Sequence, residues 1–161
     1  MTTECQRIAD ALASALSGDA WYGDPLSKIL SNVTAADATA HPIPNAHSIW
    51  ELLRHVEAWV QFALGAVRGI PIPAWPTMPA EQDWPPVVQR GEQEWNAAVA
   101  SFLSTHSSLV EAIKIMNDDR LDQTVPGRAY NFYHLFHGLI QHAAYHGGQM
   151  ALLKKAVIRA A

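Results

Sequence analysis

The stretch QHAAYHGGQM, residues 141–150, sets His142 and His146 four positions apart and follows them at once with Gly147 and Gly148. Neutral imidazoles offer lone pairs to divalent metals, and a helix brings residues four apart onto one face, about 6 Å apart along its axis. The pair is therefore spaced to grip one ion. The same spacing suits two hydrogen-bonded core histidines, and HxxxH alone does not choose between these readings. A third histidine bears on the choice: in ELLRHVEAWV, His55 shares its helix side with Leu52, Trp59, Phe62 and Ala63. Three histidines from two helices make a site that keeps a coordination position open for water or substrate. Gln149 follows His146 by one turn, placed either to hold a ligand imidazole or bound water, or to make a helix–helix hydrogen bond.

Such a site needs helices to carry it. In a last helix from about Asn131 to Ile158, Leu135, Leu139, His142, His146, Met150 and Leu153 fall within one sector roughly 80° wide, so both histidines face the core. Burying them without partners costs about 1–3 kcal/mol for each unsatisfied polar group, a cost that a metal removes by using the lone pairs. Cys5, Ile8, Leu12 and Ala15 stripe a first helix. Trp21 to Pro44 reads as a long connection with one short helix around Leu26, Ile29, Leu30 and Val33. Ser48 and Glu51 have capping-box spacing and open a second helix that runs to about Arg68. The next connection, from Gly69 through Pro86, is rich in proline. Its Trp75 and Trp84 either lid a pocket or cover a core edge, and covering is the expectation.

A third helix, roughly Trp84 to Met116, has Val88, Trp95, Phe102, Leu109 and Met116 at sevenfold spacing, with Val99, His106 and Ile113 at the other seam position. Pro126 and Gly127 mark the turn before the last helix. Four striped helices must bury their stripes on one another, so the expected fold is an all-α four-helix bundle over one domain, residues 1–161, with long connections after helices one and two.

Composition excludes other classes. Apolar residues make up 49% and charged ones 16%, too apolar for disorder and too interrupted for a membrane span. Net charge is −4 without a Lys/Arg cluster, so no nucleic-acid or anionic-membrane footprint is expected. The N-terminus has no signal-peptide pattern, which makes the cytoplasm the expected compartment. Cys5 is the one cysteine and sits on a core stripe, so neither a disulfide nor a CxxC motif is available.

The other polar candidates receive lesser roles. His106 is a candidate for an extra or supporting ligand, while His134 and His137 fall on the flank and the far side of the last helix. His41 and His47 carry no specific signal. Glu51 is assigned to capping rather than to support of His55, and Glu92 is either buried near His106 or solvated. Arg128 is placed to meet a substrate carboxylate or simply solvent. Trp50, Trp59, Tyr133 and Tyr145 are pocket-lining or core. Gly147 and Gly148 each weaken a helix by about 1 kcal/mol relative to alanine, and close helix packing is the expected compensation, with Gly148→Leu disruptive.

The combination of SIWELLRHVEAW, YNFYHLFHGLIQHAAYHGGQMALLKKA, the early WYGDPL and HPIPNAHSIWEL resembles the DinB-like superfamily of metal-binding four-helix bundles over nearly the whole chain. The resemblance implies a divalent metal on His55, His142 and His146. Imidazole ligation suits zinc, nickel, iron and copper; zinc or nickel is the first expectation, with iron or manganese next. It further implies a small-molecule partner. Some relatives are similar to transferases of low-molecular-weight bacterial thiols such as bacillithiol or mycothiol, and others to metal-dependent hydrolases. No carboxylate base is recognisable beside the triad, which tilts the expectation toward thiol transfer. The rival is a non-catalytic stress-related bundle with a structural metal, which a fourth protein ligand such as His106 would favour. Apolar surface with several tryptophans also suggests a homodimer.

Overall fold

Most helices begin where the sequence supplies a side-chain acceptor for their first amides. A computed structural model describes residues 1–71 and 78–159 of the chain. Helix α1 (Glu4–Ser17) opens on a Thr3/Gln6 capping box. Its Glu4 and Cys5 amides also donate to the Asp118 carboxylate at 2.8 and 2.9 Å, so a 3₁₀ turn (Asp118–Arg120) caps the first helix from across the chain. Ser48 and Glu51 form the expected reciprocal box at the start of α4 (Ile49–Val67). Asn131 Oδ1 accepts from the His134 amide at 2.9 Å at the start of α7 (Phe132–Arg159).

The connection between α1 and α4 holds two short helices, α2 (Leu26–Leu30) and α3 (Ala35–Thr39), where one was expected. Asn32 adopts a left-handed φ of 57° between them, a conformation that asparagine tolerates. The Thr34/Asp37 capping box then starts α3, and the Glu92 carboxylate accepts from the Ala35 amide at 2.8 Å. That capping contact gives Glu92 its role. A five-residue helix is too short to show an apolar period, which is why the pattern concealed it.

The third long helix starts later than expected. It is α6 (Glu92–Lys114), while residues 80–83 form a separate turn, α5 (Ala80–Asp83). Pro85 and Pro86 lack amide donors and push Trp84 out of helical geometry (φ −122°, ψ 74°), so helix cannot pass through them. Val88 consequently lies exposed instead of in the seam.

Helices α1 and α4 alternate with α6 and α7 around a bundle: α4 packs on α6 and α7, and so does α1. Trp95, Phe102, Leu109 and Ile113 of α6 are buried between them with Ile8, Leu12, Leu53 and Phe136. The Trp95 indole donates to the Val33 carbonyl at 2.6 Å and so ties the long connection to the core. Burial pushes the Cys5 thiol up to about 12, with the Asp118 carboxylate adding to the effect, and leaves it an inert core group. Trp50 and Trp95 are core, Trp59 and Trp84 are half-buried, and Trp21 is fully exposed. Trp75 lies outside the described residues. No described helix is long and apolar enough to cross a membrane.

Candidate metal centre

His55 comes from the second turn of α4 and His142 and His146 from the middle of α7, two helices that pack side by side. Their stripes put the three imidazoles in one place: one ligand atom from each lies within 4.8 Å of the others. His55 and His146 are buried, and His142 is half-buried. His55 Nε2 and His142 Nε2 stand 2.9 Å apart.

The outer ring nitrogens decide what the inner ones can do. His55 Nδ1 donates to the Asp83 main-chain carbonyl at 2.7 Å, with Asp83 Oδ1 a further 3.1 Å contact. His146 Nδ1 donates to Gln149 Oε1 at 2.7 Å. Each oxygen fixes the proton on Nδ1 and leaves Nε2 as a lone pair. His142 Nδ1 is buried without a hydrogen-bond partner, so no protein acceptor dictates that ring's tautomer. One proton between His55 and His142 would satisfy their two inner nitrogens and leave the lone pair of His146 unused. A cation uses all three, so the donor set fits a divalent metal. Burial pushes the His142 pKa down to about 3, with His146 and His55 adding repulsion, and burial also lowers that of His146. Both rings are therefore neutral and ligand-competent near neutrality.

The connection after α4 folds over this cluster. Trp84 stacks on His55 at 3.9 Å and, on its other face, on His47 at 3.7 Å. Trp84 packs against the edge of the core, as expected, and also lines the cavity around the site. Asp83 Oδ1 also accepts from the Trp59 indole N–H at 2.7 Å. With Tyr145 and Gln149 these residues line a cavity of about 540 Å³ around the three histidines. Sequence reasoning missed Asp83 and His47: Asp83 ends the four-residue α5 and His47 lies on irregular backbone just before α4, and neither segment carries a period to reveal a facing direction. A carboxylate thus stands beside the triad after all.

The other candidates are distributed differently. His106 is 1% exposed against Phe102 but is not among the converging groups. Glu51 caps α4 and its Oε2 lies 3.1 Å from His41 Nε2. Trp50 packs on Trp95 in the core, and Tyr133 lies on the surface beside His137. The Arg128 guanidinium sits 4.6 Å over the Phe62 ring, with Nη1 donating to the Gly127 carbonyl. The glycines divide. A Cβ at Gly147 would stand 3.3 Å from Leu26 Cδ2, a close approach of α2 and α7, whereas at Gly148 it would meet no atom within 4 Å. Packing explains Gly147 and not Gly148, because the exposed Gly148 faces away from every neighbouring helix.

No curated protein and no solved structure matches the chain significantly. A family model does, over residues 5–150, a span that includes all three converging histidines. With that match and the all-helical bundle, the chain belongs to the DinB superfamily.

Proposed function

We propose that this protein is a metal-dependent enzyme that holds one divalent ion on His55, His142 and His146 and transfers a low-molecular-weight thiol to an electrophilic small molecule. The observation that carries the reading is the convergence of three imidazoles whose Nδ1 atoms, in His55 and His146, are already committed to oxygen acceptors. Zinc or nickel is the first choice for such a set, then iron or manganese. When bound, the ion supplies Lewis acidity that lowers the pKa of a thiol or water beside it.

The chain's own residues do the rest. The Asp83 carbonyl and Gln149 fix two imidazoles in tautomer and direction. Trp84 shields one face of His55. The 540 Å³ cavity has room for a small thiol and its acceptor side by side. In the transfer, sulfur gives its proton to solvent, bonds to the electrophilic carbon and displaces a leaving group, which departs with the bonding pair.

Hydrolysis is the second reading, favoured by the Asp83 carboxylate in the same cavity. A purely structural metal is supported less, since His106 does not join the cluster and no fourth ligand closes it among the described residues. Elemental analysis of protein purified without a metal-affinity tag tests the centre. About one equivalent in the wild type, lost in His55→Ala, His142→Ala and His146→Ala, is expected; no metal after reconstitution refutes it. Thiol consumption with a small alkylating acceptor, against ester hydrolysis by the same protein, then separates the two chemistries.

A further inference from the structure

The metal cavity continues into a second space. A cleft of about 250 Å³ lies between α4 and the first turns of α7, and Trp59 and His142 line both it and the cavity around the triad. Along α7, His134, Gly138, His142 and His146 follow one another at four-residue spacing and form a ridge, in which Gly138 is a missing tooth. Glycine inside a helix weakens it relative to alanine. Packing does not account for it here: a Cβ at Gly138 would meet no atom within 4 Å, in contrast to Gly147. The absent side chain keeps the cleft open.

The walls state what would fill it. Among the described residues no aspartate, glutamate, lysine or arginine lines the cleft, so a charged group would lose water and gain no partner there. Leu135 and Leu139 are buried at its base, and the Trp59 ring is held in place by the bond from its indole N–H to Asp83. A cavity of about 150 Å³ already accepts benzene when its walls are apolar, so this cleft has volume for one ring with a substituent. We infer that the cleft binds the uncharged apolar group of the electrophilic substrate, a single aromatic ring or short branched chain, next to His142, and that Gly138 sets its size limit. The catalytic meaning of the cleft rests on the proposed metal centre; the binding itself does not.

Titration of metal-free protein with benzyl alcohol, followed by saturation-transfer NMR, tests the cleft. Wild type and Gly148→Leu, the same change on an open face of the same helix, are expected to bind alike. Gly138→Leu should bind about tenfold more weakly or worse with no loss of melting temperature or of metal content. Should Gly138→Leu prevent folding, Gly138→Ala gives a smaller weakening in the same direction. Benzoate should bind less tightly than benzyl alcohol. No binding to wild type, undiminished binding to both Gly138 variants, or benzoate binding as well as the alcohol would overturn the inference. Metal retained without benzyl alcohol binding removes the cleft alone, while benzyl alcohol binding without metal removes the proposed centre alone.

Discussion

Gly147 and Gly148 are one position apart on α7 and should respond differently to the same substitutions. Alanine at either regains about 1 kcal/mol of helix propensity. At Gly148, where a Cβ meets nothing within 4 Å, no contact opposes that gain. Gly148→Ala should therefore raise Tm by about 2–4 °C in a chain of this size. At Gly147 the new Cβ stands 3.3 Å from Leu26 Cδ2 and 3.7 Å from Ile29 Cδ1. Leu26 is fully buried in the core, so its methyl has little room to retreat, and the propensity gain is largely cancelled. Leucine at 147 adds three more carbons against α2, an overpacking that costs about 1–3 kcal/mol, whereas leucine at 148 extends into open space. Thermal melts followed by circular dichroism, on metal-free protein so that metal binding does not enter the comparison, read both pairs directly. Equal losses of Tm for Gly147→Leu and Gly148→Leu, or no loss for Gly147→Leu, would refute the assignment of α2 as the element that requires glycine.

Asp83→Asn keeps the main-chain carbonyl that holds His55 but removes the charge 3.1 Å from Nδ1, so metal affinity should fall about tenfold in chelator competition. Gln149→Leu removes the acceptor of His146 Nδ1 and should cost more, toward about 100-fold; unchanged affinity in both variants would show that the oxygens do not support the ligands. Burial pushes the His106 pKa down to about 4, so the folded chain takes up this proton later than the unfolded one. The stability it contributes is complete above about pH 6.5 and is lost toward pH 4, about 3 kcal/mol in all. His106→Leu should flatten the acid side of the urea-midpoint profile of metal-free protein, and a parallel profile would count against a buried neutral His106. Asp118→Asn should lower stability at neutral pH, the difference from wild type closing as acid protonates the carboxylate that the Cys5 and Glu4 amides hold below its usual range. A pH-independent difference would contradict that capping role.

The parts legible in the sequence are those governed by local period. His142 and His146 lie on one stripe because the helix repeat puts them there, and His55 joins them because its own stripe must pack against theirs. Ser48 and Glu51 were readable for the same reason: a capping box is complete within four residues. The start of α6 was hidden because Val88 continues an apolar period that Pro85 and Pro86 have already made impossible. Asp83, Trp84 and His47 were beyond any period. The first two are placed by how the connection between α4 and α6 lies across the bundle, and His47, just before α4, meets Trp84 there through a contact far apart in the chain.

Asp83 bears on the chemistry as well as on the geometry. The sequence shows no carboxylate near the triad, and the structure supplies one. Its occupation matters more than its presence. Asp83 Oδ1 accepts the Trp59 indole N–H at 2.7 Å and lies 3.1 Å from His55 Nδ1, while the main-chain oxygen of the same residue takes the Nδ1 proton. The oxygen that a water nucleophile would call on is therefore already engaged by the Trp59 indole and the His55 ring. Attack by water needs that acceptor at the moment of reaction; a thiol, several units more acidic than water, can lose its proton beforehand and arrive already ionised. Asp83 thus acts on the rings around it, holding Trp59 and His55 in register, and of the two proposed chemistries thiol transfer asks less of it.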